Sequence, residues 1–242
     1  MPTKATVKLV KQLKQKKYRK AYNLFVVEGK KSVDEFLKSD FKLIYFFVNS
    51  KFKKDYPEAE LCSSADFKQM SNLQTPPEIM AVFEQKNFEL PNEFEEYYFA
   101  LDNIQDPGNL GTIIRLADWF GMPHVFCNLD SVDVYNPKVV QACMGSLTRV
   151  QVHYVDLQAF LKSIEIKVYG SFMDGKNIYS SKFNSKGIIV MGNESTGISK
   201  EIEDLCDERI TIPQAVHRPT ESLNVAIASA IISAEIFRQD EV

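Results

Sequence analysis

The alternation of apolar and polar positions predicts two α/β regions along the chain. In the first 85 residues, short apolar runs typical of strands are interspersed with amphipathic stretches typical of helices. Pro76 and Pro77 interrupt this pattern, and the polar, acidic stretch around Pro91 is typical of a linker. The predicted helices cover residues 4–17, 31–39 and 64–70, and the predicted strands cover residues 24–28, 43–48 and 79–84.

A different rhythm begins near residue 97, where short apolar runs are followed by glycine-containing turns and helices. This order predicts a mostly parallel sheet, whose ligand loops follow the carboxyl ends of the strands. We therefore expect a domain at 1–85, a linker at 86–96 and a larger domain at 97–242. The predicted strands of the larger domain cover residues 98–101, 124–126, 167–171, 187–191 and 209–212, and its predicted helices cover residues 110–120, 137–144, 200–205 and 221–239.

The overall composition is that of a globular protein. Of the 242 residues, 45% are hydrophobic and 25% are charged, which excludes a disordered or fibrous chain. The longest strongly apolar run, residues 43–48, is far shorter than the roughly 20 residues that cross a bilayer, so we expect a cytoplasmic protein with no membrane partner. Four dispersed cysteines and three histidines predict neither a disulfide scaffold nor a metal site.

Positive charge is concentrated at the start of the chain. The first 31 residues hold ten of the 29 lysines and arginines but a single acid, Glu28, although the whole chain has a net charge of −3. A basic segment beside an acidic remainder suggests contact with a polyanion, because each lysine that meets a phosphate releases a counterion. The alternative is that these charges cover the solvent face of an amphipathic helix. As nucleic-acid contacts we single out Lys14, Lys16, Lys17, Arg19, Lys20 and Lys30.

Glycine is concentrated in the larger predicted domain. Gly29 is the only glycine in the first 107 residues, and the other nine lie between Gly108 and Gly197. Because glycine permits positive φ and close approach of a ligand to the main chain, this distribution indicates a site built largely from backbone.

The first loop that could carry chemistry spans residues 103–111 and leads into a predicted helix that contains Arg115. Free N–H groups at the start of a helix favour an anion or a developing oxyanion. The alternative makes Asn109 a simple helix cap and Arg115 an exposed helix charge. The spacing of Gly108 and Gly111 is not that of a dinucleotide fingerprint, which needs a third glycine.

The second loop, residues 188–199, follows an apolar strand and imitates a phosphate loop. Gly192 and Gly197 have the spacing of that motif, but Ile198 stands where its lysine is needed, so nucleoside triphosphate binding is disfavoured. Glu194 is open to two interpretations. It either contacts a ligand or is an acid that satisfies backbone amides at the start of a helix.

The third loop runs from residue 210 to residue 225 and ends in a helix rich in small side chains. Small residues let helices approach closely, so a packed core helix is the ordinary interpretation. Ser222 and Asn224 lie in the first turn of that predicted helix, where capping and ligand contacts are equally natural.

Together, the three loops resemble the SpoU branch of the knotted RNA methyltransferases, which use S-adenosylmethionine. The motifs that carry the resemblance stand in the family's order: Asn109-x-Gly111-x-x-x-Arg115, Gly192-Asn193-Glu194-x-x-Gly197, and Ile212-Pro213 followed by Ser222-Leu223-Asn224-Val225. Met144-Gly145-Ser146 resembles a further family segment. Residues 22–29 are similar, more weakly, to the ribosomal-protein-like domain that binds substrate in members acting on ribosomal RNA.

The resemblance implies an α/β trefoil-knot methyltransferase domain at the carboxyl end and a smaller, ribosomal-protein-like α/β domain at the amino end. It also implies a homodimer with the active site near the subunit interface. Cofactor contacts would come largely from the main chain of Gly192, Ile212 and Leu223. The implied catalytic and positioning set is Asn109, Arg115, Glu194, Ser222 and Asn224.

The implied reaction moves a methyl group from S-adenosylmethionine to a ribose 2′-hydroxyl of RNA. Holding an arginine neutral at pH 7 costs about 7 kcal/mol, so we expect Arg115 to act as a cation that clamps a phosphate and stabilises the forming alkoxide. The accessory domain favours ribosomal over transfer RNA. An idle RNA-binding ribosome-assembly factor on the same fold is the main alternative, and a nucleotide-binding metabolic enzyme is a weaker one.

The chain departs from the family pattern between Pro213 and Ser222, where it is slightly longer. The longer segment either alters how the cofactor is covered or adds His217 and Arg218 as RNA contacts.

Overall fold

The computed structural model describes residues 1–215 and 222–240. Its strands are β1 (Leu24–Glu28), β2 (Leu43–Val48), β3 (Glu60–Leu61), β4 (Ile79–Glu84), β5 (Tyr97–Leu101), β6 (His124–Asn128), β7 (Gln151–Val155), β8 (Val168–Asn177), β9 (Gly187–Met191) and β10 (Glu208–Thr211). Its α-helices are α1 (Lys4–Gln12), α2 (Lys16–Tyr22), α3 (Lys30–Leu37), α4 (Ser64–Met70), α5 (Pro107–Trp119), α6 (Pro137–Ala142), α7 (Leu157–Ser163), α8 (Lys200–Glu203) and α9 (Val225–Asp240).

The chain forms two compact units. The first comprises Met1–Asn87 together with Asp133–Thr148, and the second comprises Phe88–Val132 together with Arg149–Val242. The first unit thus includes α6, a segment that the sequence analysis placed inside the larger domain. The domain limits of 1–85 and 97–242 stay a prediction.

The first unit is built on a four-stranded sheet in the order β1-β4-β2-β3, in which β1 and β2 both run antiparallel to β4. Successive side chains of a strand point to opposite faces, so β1 contributes to two layers of core. Val26 packs in a cluster with Val7 and Val10 of α1. Phe25 contacts Phe36 of α3, with ring centroids 5.5 Å apart. The strands predicted at 24–28, 43–48 and 79–84 are confirmed, and β3 was not predicted.

The single helix predicted at 4–17 is wrong, because the chain breaks there into α1 and α2. Arg19 donates from Nη1 to the carbonyl oxygens of Leu13 and Lys14, at 3.0 and 2.9 Å. These carbonyls follow the end of α1, where no helical N–H remains to satisfy them. An amphipathic pattern indicates which side of a helix faces the core. It does not indicate that a side chain of the next helix, here Arg19, donates to the carbonyls at the end of the first helix.

The second unit contains a six-stranded sheet in the order β10-β8-β9-β5-β6-β7, and every neighbouring pair in it is parallel. The predicted α/β class and parallel sheet are confirmed. The central strands β5 and β9 are buried along their whole lengths. Phe120, the C-cap of α5, packs against Phe237 of α9, with ring centroids 5.0 Å apart.

Several element bounds in the second unit differ from prediction. Strand β7 and helix α7 were not predicted, because residues 151–163 lack a glycine or proline boundary that separates the two elements. Strand β8 is longer than the predicted 167–171, since it pairs with β10 in two stretches separated by a register shift. The predicted start of the last helix, residue 221, lies outside the described residues.

The expected trefoil knot stays a prediction, because the segment between β10 and α9 that would take part in it lies partly outside the described residues. Across residues 1–215 and 222–240, no helix is both long enough and apolar enough to span a bilayer.

Candidate active site

Helix α5 begins three residues earlier than predicted, and this shift releases Asn109 from a capping role. Asp106 is the N-cap, and its Oδ1 accepts a hydrogen bond from the backbone N–H of Asn109 at 2.9 Å. Pro107 follows at the first helical position, where a missing N–H costs nothing. Asn109 therefore lies within the first turn, and its side chain is available for contacts outside the helix. The interpretation of Asn109 as a simple cap is wrong.

One side chain from each of the three predicted loops joins a continuous hydrogen-bond chain. Asn109 donates from Nδ2 to Glu194 Oε1 at 2.8 Å, and Asn109 Oδ1 accepts from Asn224 Nδ2 at 2.9 Å. We call Asn109, Glu194 and Asn224 the three-loop network. The family resemblance predicts that these three residues act at one site, and the structure places them in direct contact.

Asn224 both caps a helix and takes part in the network. Its Oδ1 accepts hydrogen bonds from the backbone N–H groups of Ala226 and Ile227, at 3.0 and 3.2 Å, at the start of α9. Its Nδ2 is left free to donate to Asn109. Asn224 can cap α9 and contact Asn109 at the same time, because the amide group has a separate donor and acceptor. The capping interpretation is confirmed, and a ligand contact by Asn224 stays a prediction.

Glu194 lies on a tight turn that glycine makes possible. Asn193 and Gly197 exchange two backbone hydrogen bonds, of 3.0 and 2.9 Å. Gly197 has a φ of +71°, and a Cβ on Gly192 would lie only 2.2 Å from the carbonyl carbon of Gly197. The Asn193 side chain already accepts from the N–H groups of Ser195 and Thr196. This turn ends before α8, so Glu194 does not serve the start of a helix.

Asp102 is a buried carboxylate that the sequence analysis missed. It follows β5 directly and is 2% exposed. Its Oδ2 accepts from both the N–H and the hydroxyl of Ser199, each at 2.7 Å, and its Oδ1 accepts from Asn128 Nδ2 at 3.3 Å. Asp102 thus joins the ends of β5 and β6 to the loop after β9. The sequence feature that could have identified Asp102 is its position as a polar residue directly after an apolar strand.

A second link holds the same two loops together. Asn193 donates from Nδ2 to the carbonyl oxygen of Asn103 at 2.8 Å. Asn103 has a φ of +62°, a left-handed conformation that asparagine tolerates better than most residues. The loops that carry Asn109 and Glu194 are therefore fixed to each other independently of the contact between those two side chains.

Arg115 and Ser222 do not join the three-loop network. Both are exposed, and neither has a hydrogen bond or an ion pair within residues 1–215 and 222–240. Arg115 lies about one and a half turns beyond Asn109 on α5. Because no side chain or carbonyl of the described residues pairs with this guanidinium, it is available to bind an anion, which suits the predicted role.

The three predicted cofactor residues lie at the edge of the sheet where parallel strands end. Gly192 follows β9, Ile212 follows β10, and Leu223 precedes α9. Gly192 and Ile212 are half-buried and Leu223 is exposed, so none is sealed within the core. Loops at this edge, with accessible main chain and two aliphatic side chains, fit a nucleoside-containing cofactor. No group of three metal-ligating side chains is found in the described part of the chain.

The predicted RNA-binding residues of the first unit have different environments. Lys16, Lys17 and Lys20 are exposed on α2. Lys14 donates to the carbonyl oxygen of Ser71. Lys30 donates to Asp34 at 2.6 Å, and its hydrogen bonds with Asp34 and Tyr56 raise its pKa above the usual value.

Arg19 differs from these lysines, because it is 2% exposed. Besides the carbonyls of Leu13 and Lys14, its guanidinium contacts Asp133 Oδ2 from Nε and Nη2, at 3.0 and 2.5 Å. Its donors are committed within the first unit, so Arg19 has a structural role here and is not an exposed RNA contact. His217 and Arg218 lie outside the described residues.

A chain that contains a parallel α/β unit with polar loops at its carboxyl edge, and also a unit with exposed lysines, has the architecture of a cofactor-dependent enzyme with an accessory domain. The chain belongs to the SpoU rRNA methylase family, whose model matches residues 96–234. An MRM3-like substrate-binding domain model matches residues 4–81.

Relatives of known name or structure agree with this assignment. The chain is 31% identical over 235 residues to the Bacillus subtilis 23S rRNA (guanosine(2553)-2′-O)-methyltransferase RlmP, covering 93% of each protein. A solved structure of a TrmH-family protein from Porphyromonas gingivalis superposes with a TM-score of 0.89 at 38% identity, over 99% of each chain. The AdoMet-bound rRNA methyltransferase from Sinorhizobium meliloti superposes with a TM-score of 0.87 at 26% identity, over 98% of this chain and 97% of that one.

Proposed function

We propose that this protein transfers a methyl group from S-adenosylmethionine to a ribose 2′-hydroxyl of ribosomal RNA. The observation that carries the proposal is the three-loop network, in which Asn109, Glu194 and Asn224 connect all three family motifs. The similarity to RlmP over nearly the whole length of both proteins supports ribosomal RNA as the substrate. A cytoplasmic location follows from that substrate.

The main chain of Gly192, Ile212 and Leu223 is proposed to hold the cofactor. Their position after β9, after β10 and before α9 supports this assignment, as does the AdoMet-bound relative from Sinorhizobium meliloti. When bound, S-adenosylmethionine supplies an electrophilic methyl group on a sulfonium. The tight turn at Asn193–Gly197 contributes a rigid backbone surface, which lowers the cost of ordering on binding.

The protein's own side chains hold the acceptor ribose in place. Arg115, as an exposed cation, binds the neighbouring phosphate and stabilises negative charge on the 2′-oxygen, whose proton passes to solvent water. Asn109 keeps the start of α5, and with it Arg115, in register with the Glu194 turn. Ser222 adds an exposed hydroxyl beside Asn224 at the entrance to α9. Orientation of the reacting groups supplies a large share of the rate enhancement.

A homodimer is part of the proposal. Helices α5 and α9 expose large apolar side chains that the described chain does not cover, since Trp119 is 81% exposed and Ile227 is 54% exposed. Exposed aromatic residues of this size are characteristic of interfaces. A second copy of the chain is the occupant that we assign to this surface.

The direct test is methyl transfer from labelled S-adenosylmethionine into ribosomal RNA isolated from cells that lack the gene. We expect incorporation into that RNA and none into ribosomal RNA from cells that carry the gene, because the target ribose is already methylated there. Transfer RNA from the deletion cells serves as a parallel substrate. Binding of the cofactor without incorporation into either RNA would instead support the idle assembly factor.

A further inference from the structure

The exposed side of α2 is positively charged, and the first 31 residues contain no exposed acidic side chain that would balance this charge. Lys16, Lys17 and Lys20 are all exposed. The only acid among the first 31 residues is Glu28, which is 6% exposed. Its carboxylate accepts from the hydroxyl of Ser71 at 2.5 Å and from two N–H groups of Asn72 at 2.9 Å each. The carboxylate of Glu28 thus has its hydrogen-bond partners inside the unit and does not neutralise the lysines on α2. The ammonium groups of these lysines are exposed to solvent.

Helix α2 is held rigidly from its inner side. Arg19 ties the helix to the end of α1 through two carbonyls and to Asp133 through an ion pair. Gln85 donates from Nε2 to the carbonyl oxygens of Arg19 and Leu24, at 3.1 and 2.9 Å. The backbone that carries the exposed side chains of α2 is therefore already ordered, so a ligand does not have to order the helix on binding.

Two tyrosines lie on one flank of this helix, one turn apart. The rings of Tyr18 and Tyr22 are 6.2 Å apart and within 11° of parallel. Tyr22 is 45% exposed. Neither hydroxyl has a hydrogen-bond partner within residues 1–215 and 222–240. The Lys17 ammonium lies 4.8 Å from the Tyr18 ring centroid. The tyrosine hydroxyls and the exposed face of Tyr22 therefore have no structural role within the described residues, and they lie next to the positive charge of Lys17.

We propose that α2 binds an unpaired segment of RNA, with a base stacked on Tyr22 and the flanking phosphates paired with Lys16, Lys17 and Lys20. We call these four residues together with Tyr18 the α2 surface. This proposal rests on the proposed function, because it assumes that the ligand is RNA. It adds that the bound RNA segment is unpaired. Lysines alone attract any nucleic acid, because phosphates occur in every strand.

The aromatic face decides between paired and unpaired RNA. Bases in a duplex are stacked on one another, and the major groove of an RNA helix is too narrow for side chains to reach them. A base in a loop, bulge or single strand exposes its π-face and stacks on a tyrosine whatever its identity. The α2 surface thus favours an unpaired segment of the RNA over a duplex.

The experiment measures binding of fluorescent oligoadenylate, which is single-stranded, and of an RNA duplex of equal length. The full-length wild-type protein is compared with Tyr22→Ala and Tyr22→Phe. Tyr179→Ala is the matched control, since Tyr179 is an exposed tyrosine of the second unit. Thermal unfolding of each variant confirms that the fold is retained, and methyl transfer to ribosomal RNA is measured in parallel.

We expect Tyr22→Ala to weaken binding of the single strand by about tenfold, within the range measured for one base stacked on an aromatic residue. Binding of the duplex should stay unchanged. Tyr22→Phe should retain the wild-type affinity, because stacking needs the ring and not the hydroxyl. The slope of affinity against salt should be the same in all variants, since no charge is altered.

Equal affinity of Tyr22→Ala and wild type for the single strand would overturn the proposal, and so would an equal loss for strand and duplex. If methyl transfer by the wild type is intact in that case, the proposed function stands and only the assignment of the α2 surface fails. If the wild type transfers no methyl group but Tyr22→Ala still loses single-strand binding, the surface assignment stands without the enzymatic function.

Discussion

Asn109 donates to Glu194 over 2.8 Å although 85 positions separate the two residues in the chain. Neither residue is buried, so their contact does not arise from the packing of the core. It depends on two loops that are fixed beneath it by Asp102 and Asn193. The network is therefore a product of sheet order, because β5 and β9 are neighbours in the sheet.

Replacing Asn109 with aspartate tests the three-loop network with almost no change of shape. An aspartate has no donor for Glu194, and it places a second carboxylate beside the first. We expect a loss of methyl transfer of about a hundredfold with an unchanged fold, an effect in the range seen when a positioning contact is displaced. Asn92→Asp, at an exposed asparagine of the linker, is the control. Normal turnover by Asn109→Asp would contradict a functional role for the network.

Arg115→Ala should abolish methyl transfer while S-adenosylmethionine still binds. The exposed guanidinium has no structural partner in the described chain, so its removal leaves the fold intact. Arg115→Lys should restore part of the activity, because it keeps the charge but loses the bidentate geometry. Single-turnover methylation and calorimetry with the cofactor separate the two effects. Lys182→Ala controls for loss of an exposed charge in the same unit, and near-normal activity of Arg115→Ala would refute the assignment.

Arg19→Ala should destabilise the protein rather than weaken RNA binding directly. The substitution leaves Asp133, whose side chain is 16% exposed, without its ion-pair partner and two backbone carbonyls without donors. Breaking a buried pair in this way costs about 3 kcal/mol. Denaturant unfolding measures the loss.

Lys20→Ala, one position along the same helix, is the matched comparison for Arg19→Ala. It should leave the free energy of unfolding unchanged and reduce the salt slope of RNA binding by about one, as expected for one phosphate contact. A stable Arg19→Ala protein with the same reduced salt slope would show that Arg19 contacts RNA after all.

Acid should destabilise the second unit through His124 and His153. The two rings share a hydrogen bond between Nδ1 of His124 and Nε2 of His153, 3.0 Å apart. Burial, reinforced by nearby His124, lowers the pKa of His153 to about 4, and burial also lowers the pKa of His124. In the unfolded chain both titrate near 6.5. The unfolded state therefore binds more protons between about pH 6.5 and pH 4, and stability falls as the pH drops through that window.

The measurement for this pair is the free energy of unfolding as a function of pH, for wild type and for His153→Gln. We expect the variant to have a flatter profile below pH 6.5, because one of the depressed groups is gone. Its stability at pH 7 provides the reference. If the free energy of unfolding of His153→Gln fell with pH as steeply as that of the wild type over this pH window, groups other than His153 would cause the acid sensitivity.

Trp119→Ser should weaken the proposed homodimer. The indole is 81% exposed in the single chain, so its removal does not disturb the core of the protomer. Truncation of a tryptophan that is a hot spot of an interface costs about 2 kcal/mol, or about thirtyfold in dissociation constant. Light scattering at decreasing protein concentration measures the shift. Leu129→Ser, which also removes an exposed apolar side chain of the second unit, should leave the assembly unchanged. A monomeric wild type would exclude the interface.

Much of the architecture was encoded locally. Strands β1, β2, β4 and β9 lie at the predicted positions, because each is an apolar run bounded by polar residues, proline or glycine. The glycine turn at Gly192 was recognised for the same reason. The close approach of the Gly197 backbone excludes a Cβ at Gly192, and the two glycines belong to the same short turn, so their spacing in the sequence already indicates it. The order and spacing of the motifs also sufficed to predict the family.

Other features depend on particular side-chain hydrogen bonds, some between near neighbours and some between residues far apart in the chain. The break between α1 and α2, the burial of Arg19 and the capping of α5 by Asp106 in place of Asn109 follow from hydrogen bonds that no local periodicity records. Asp102 acts on the loop after β9 only because β5 and β9 are adjacent in the sheet. The sequence by itself thus determined which segments are strands, helices and ligand loops. The tertiary structure alone decided which polar side chains meet, because hydrogen bonds require contact over about 3 Å while sequence patterns report only the average exposure of each position.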